Sequence, residues 1–88
     1  RKTGNTLMEG LKDIQRRSNK IEEVRGLGLM IGADLSVDIK TFLGKLKDNG
    51  MFATQAGSKT LRLTPPLVVS NDEIGQALDK IEQTLKEF

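Results

Sequence analysis

The apolar residues of this chain change their spacing several times, and that change constrains the fold more than any single motif does. Leu7, Leu11 and Ile14, with Met8 beside them, fall at helical spacing between Gly4-Asn5 and Ser18-Asn19. Leu27, Leu29, Ile31, Ala33 and Leu35 then alternate strictly, the pattern of a strand with one face on a core. Ile21 to Val24 forms a shorter strand before it, with Gly26 placed to turn the chain between the two. Helical spacing returns at Ile39, Phe42, Leu43 and Leu46, with Ser36 as the expected N-cap and Asn49-Gly50 as the stop. "MFA" (51–53) and "TLRL" (60–63) read as two further short strands around a loop over 54–59. The last segment is the best defined. Ser70-Asn71-Asp72-Glu73 has the form of a capping box, and Val69 and Ile74 stand where a hydrophobic staple closes. Ile74, Ala77, Leu78, Ile81, Leu85 and Phe88 continue as one stripe.

The order is therefore α-β-β-α-β-β-α. It predicts an α+β domain, a small and mostly antiparallel sheet of about four short strands with helices packed on one face. Eighty-eight residues, 36% of them hydrophobic, suffice for one small core, so residues 1–88 read as a single domain.

Composition removes several kinds of chemistry. There is no Cys, hence no disulfide, thiolate metal site or cysteine nucleophile, and no His, hence no imidazole base or ligand. Trp and Tyr are absent and the net charge is only +2, which argues against nucleic-acid binding. No apolar run approaches the roughly 20 residues of a membrane span, and the start has no signal-peptide pattern, so a cytoplasmic setting is expected. The chain opens "RKTGN" without an initiator methionine, which is consistent with a segment of a longer chain.

Few motifs survive inspection. "GLGLMIG" (26–32) has its third glycine one residue late for a dinucleotide loop and lies in a strand, so its glycines read as allowing close strand packing. Glu22 and Glu23 are adjacent and face opposite ways on a strand, so they form no carboxylate pair. Asp72 and Glu73 belong to the helix start. Arg16, Arg17, Lys45, Lys47, Lys80 and Lys86 read as solvated faces, and Lys59 as a loop lysine with no partner in view. Arg62 stands apart, a guanidinium between Leu61 and Leu63 just before Pro65-Pro66. Alternation turns it away from the core. It is then either a surface arginine on an edge strand or a ligand contact.

These residues resemble one family. "VRGLGLMIGADL" (24–35), "LKDNGMFATQAGSKTLRLTPPLVVSNDEI" (46–74) and the closing helix are similar to the C-terminal small domain of class III aminotransferases, fold-type I enzymes that use pyridoxal phosphate. The "AG…LRLTPPL" form is most similar to acetylornithine aminotransferases of arginine biosynthesis. Ornithine and 4-aminobutyrate aminotransferases tend to differ around Ala56-Gly57.

The resemblance implies that the Schiff-base lysine, the acid on the pyridine nitrogen and most phosphate contacts lie in a preceding large domain. No catalytic or cofactor-binding residue is then expected here, nor turnover from the 88 residues alone. It implies small amino-acid and 2-oxo-acid substrates, namely N-acetylornithine and 2-oxoglutarate, and a homodimeric parent. It assigns Arg62 to a substrate carboxylate. The alternatives are an ornithine or 4-aminobutyrate aminotransferase domain, or a freestanding α+β binding or regulatory module.

Overall fold

The computed structural model describes residues 2–27, 30–63 and 70–88. The elements are α1 (Lys2–Arg17), β1 (Ile21–Leu27), β2 (Met30–Leu35), α2 (Ile39–Asp48), β3 (Thr54–Gln55), β4 (Thr60–Leu63) and α3 (Asn71–Leu85). This is the expected α+β order. The strands form one sheet in the order β1-β2-β4-β3, and every ladder is antiparallel.

The core lies on one face of that sheet. Ile31, Ala33 and Leu35 of β2 and Leu61 and Leu63 of β4 are buried with Leu7, Leu11 and Ile14 of α1, Phe42 and Leu46 of α2, and Ile74, Ile81 and Leu85 of α3. Period-two burial on the strands meets period-3.6 burial on the helices, so the helices share one side. α1 and α3 approach closely at Gly10, where an added Cβ would come within 2.3 Å of Leu78 Cδ1. Arg17 ties the same two helices through both Glu82 carboxylate oxygens, at 3.1 and 3.0 Å.

Several boundaries differ from the expected ones. Gly26 is not the turn between the first strands; it pairs with Ile31 inside the ladder, and the hairpin closes between Leu27 and Met30. Leu27 thus belongs to β1, not to the strand of Ile31, and Leu29 lies outside the described residues. Ser36 is not the cap of α2, because its N–H donates to Lys20 O at 2.9 Å and prolongs the β1–β2 pairing. Asp38 caps the helix instead, its carboxylate accepting from Thr41 N at 2.9 Å and from Thr41 Oγ1 at 2.8 Å. Those bonds, the backbone one foremost, hold the Asp38 carboxyl below its ordinary range.

Residues 51–53 are not a strand. After Asn49, Gly50 adopts φ 94°, its N–H donates to Lys47 O at 2.9 Å, and Met51 N donates to Leu46 O at 3.1 Å. This is a Schellman stop, and it uses Met51 as its apolar closing residue. Strand pairing resumes only at Thr54.

The capping box of α3 forms as expected. Ser70 Oγ accepts from Glu73 N at 3.2 Å, while Glu73 Oε1 accepts from Ser70 N at 2.9 Å. Val69 of the expected staple and Pro65-Pro66 lie outside the described residues. α3 stops at Leu85, and Phe88 lies beyond it with its ring stacked on Phe42 at 6.2 Å. Replacing Ser70 by Ala should lower stability by about 1 kcal/mol. Urea denaturation of the 88-residue chain checks this, and an unchanged midpoint would remove the cap from the account.

Candidate functional site

Directly paired residues of antiparallel strands project from the same face. The register therefore draws one row across the sheet: Arg25 on β1, Gly32 on β2, Arg62 on β4 and Thr54 on β3. The neighbouring row on this face is Glu23, Asp34 and Thr60. Both rows face away from the helices, since Ile31, Ala33, Leu61 and Leu63 alternate with them. Gly32 leaves a gap between two arginines whose strands are two spacings, roughly 10 Å, apart.

β4 is not an edge strand. It lies between β2 and β3, because β3 pairs onto its far side. Arg62 is half-buried, and its Nε–H donates to Thr54 Oγ1 at 2.9 Å.

The other arginines among the described residues are engaged differently. Arg16 bonds Asp13, Arg17 bonds Glu82, and Arg25 Nη1 reaches Asp34 Oδ2 at 2.8 Å. Among the described residues, Arg62 is the arginine that no carboxylate neutralises. Among the described residues its guanidinium is held by Thr54 and free of an internal acid.

The second row is an internally balanced cluster. Asp34, only 9% exposed, accepts from Arg25 and also from Thr60 Oγ1 at 2.5 Å. The Arg25 bond, then the Thr60 bond, hold the Asp34 carboxyl below the usual range despite burial. Lys59 does have a partner: its Nζ meets Glu22 Oε1 at 2.6 Å, which raises the Lys59 ammonium. Glu22 is the extra residue where the register shifts between Ile21 and Glu23, and the shift brings it to the Lys59 end of the sheet.

Because the folded-state value of Asp34 is depressed, its contribution is complete above the ordinary carboxylate value of about 3.9. It is lost as pH falls through the lowered folded value. Wild type should therefore be more stable than Asp34→Asn at pH 7, with the gap closing in acid. Denaturation midpoints of both proteins across that range check this; a gap independent of pH would contradict it.

A family model described as Aminotransferase class-III matches residues 1–85. The chain belongs to the class III aminotransferase family. It is 36% identical over 84 residues to the mitochondrial acetylornithine aminotransferase of Eremothecium gossypii, covering 96% of this chain and 20% of that protein. It is 38% identical over 82 residues to the ornithine aminotransferase of Brevibacillus brevis, covering 93% of this chain and 20% of that one. Its fold superposes on the crystal structure of acetylornithine aminotransferase from Elizabethkingia anophelis with a TM-score of 0.89 at 27% identity, over 99% of this chain and 24% of that one. The chain thus spans about a fifth of the length of the curated relatives it matches.

The class III family implies pyridoxal phosphate, which the described residues would have to hold through a free lysine or an anion site. They do not fit. Lys20 Nζ is bonded to the carbonyls of Leu85 and Phe88, Lys59 to Glu22 and Lys80 to Gly50 O. A depression of about 530 Å³ at the end of α1 is lined by Arg16, Arg17, Lys20, Glu82 and Lys86, among others, but both arginines and Lys20 are already engaged and Lys86 is exposed. Lys20 is tied to backbone carbonyls and Lys86 lies exposed, so neither sits free in the apolar enclosure that an amine nucleophile requires. Among the described residues no helix is long and apolar enough to cross a membrane.

Proposed function

We propose that this chain is the C-terminal small domain of an aminotransferase that moves an amino group between N-acetylornithine and 2-oxoglutarate in arginine biosynthesis, and that Arg62 binds a substrate carboxylate. The supporting observation is the state of Arg62, which is half-buried, tethered and without an acid partner among the described residues. Family membership supplies the reaction class.

In this reading the chain contributes one wall of a cleft. Two parallel N–H bonds from a planar guanidinium suit a carboxylate and fix its orientation as well as its position. The substrate amine is thereby presented to chemistry carried by the rest of the parent. The isolated 88 residues should show no transamination.

The full-length parent, supplied with pyridoxal phosphate, tests the donor. N-acetylornithine should give the higher kcat/KM with 2-oxoglutarate as acceptor. A preference for ornithine, which the Brevibacillus brevis likeness favours, would replace the donor and leave the Arg62 assignment standing.

A further inference from the structure

We infer that Thr54 is a positioning residue for Arg62, turning the guanidinium so that it meets a carboxylate end-on through its two Nη groups. This rests on the reading of Arg62 given above. A guanidinium can grip a carboxylate side-on, through Nε–H and one Nη, or end-on, through both Nη atoms. In this fold Nε–H is already committed to Thr54 Oγ1 at 2.9 Å. The side-on mode therefore competes with an existing hydrogen bond, and the end-on mode does not.

The tether is well placed for this task. Thr54 stands directly opposite Arg62 in the β3–β4 register, so both side chains start from one hydrogen-bonded frame. An arginine side chain has several rotatable bonds, and ordering it on binding costs affinity. A hydroxyl holding Nε orders the head group beforehand. The threonine methyl is not needed for that, and only the oxygen accepts. On β2 the position opposite Arg62 is Gly32, which has no side chain to compete for the same nitrogen.

The experiment uses the full-length parent with its cofactor and compares Thr54→Val, Thr54→Ser, Arg62→Ala and the Thr54→Val/Arg62→Ala double variant. Valine keeps the shape and strand preference of threonine and removes the acceptor. Thr54→Val should raise KM for the carboxylate substrate and lower kcat/KM by about three- to tenfold. Thr54→Ser should stay near wild type, and the cofactor absorbance spectrum should be unchanged in all four proteins. In the Arg62→Ala background the Thr54→Val change should have no further effect, since its target is gone.

Wild-type kinetics in Thr54→Val beside a damaged Arg62→Ala would overturn the role of Thr54 alone. So would equal damage in Thr54→Ser, or an undiminished Thr54→Val effect without Arg62. Wild-type kinetics in Arg62→Ala would overturn the carboxylate reading itself, and Thr54 with it.

Discussion

Arg62→Ala in the full-length parent should lower kcat/KM for the carboxylate substrate at least about tenfold, and by more than a hundredfold at the upper end. A hydrogen bond to a charged group contributes roughly 1.5–3 kcal/mol, and this substitution removes a charged pair of donors. The apparent KM should rise, and the cofactor spectrum should stay as in wild type. Arg62→Lys should recover only part of the loss, because a point charge cannot reproduce a planar fork. In the 88-residue chain the same alanine should barely change stability, since among the described residues it gives up one hydrogen bond, to Thr54. An arginine serving as mere surface predicts unchanged kinetics in both variants. Steady-state kinetics with varied 2-oxoglutarate and varied donor separate the two, and near-wild-type kcat/KM in Arg62→Ala would leave the open face without an assigned role.

The largest expected loss of stability comes from Phe42→Ala. Phe42 is 0% exposed and stacks against Phe88 between α2 and the chain end. Truncating a buried phenylalanine costs about 3–5 kcal/mol, through lost transfer energy and the cavity left behind. A domain of this size has a total stability of order 5–15 kcal/mol, so the variant should be about a fifth or more of the way to unfolding. Its melting temperature should fall by more than about 12 °C. Phe52 is the internal control. It is 79% exposed, with Lys47 Nζ above its ring at 5.7 Å, and Phe52→Ala should shift stability by no more than about 0.5 kcal/mol. Thermal melts of the two variants compare the sites, and similar losses from both would contradict the placement of the core.

How much was legible in the sequence depended on how local each signal is. The capping box at Ser70 and Glu73 uses only neighbours in sequence, and it forms as expected. The N-cap of α2 was misplaced because Ser36 is claimed by Lys20, a partner supplied by the hairpin. The alternation from Leu27 to Leu35 has the pattern of one strand. It crosses a reversal between Leu27 and Met30, and apolar spacing along the chain does not register a change of direction. Residues 51–53 have the composition of a strand, but the Schellman stop uses Met51 first.

The outward direction of Arg62 followed from Leu61 and Leu63, both buried. Its interior place in the sheet did not, because β2 reaches β4 only across α2. Thr54 and the Asp34 cluster were missed for the same reason. Their partners are set by register, and register depends on loop geometry that residue types alone do not specify.

The two-sided bonding of β4 has a consequence for timing. A strand at an edge can fray locally, and a side chain on it can drift within nanoseconds. β4 is stitched to β2 on one flank and β3 on the other, so its backbone has no such private motion. Any displacement of Arg62 that exceeds a change of rotamer must carry the sheet, and the sheet carries the helices packed on it. If Arg62 grips a carboxylate in a longer parent, as proposed, that grip would open and shut on the microsecond-to-millisecond clock of domain motion, not at the pace of a loop.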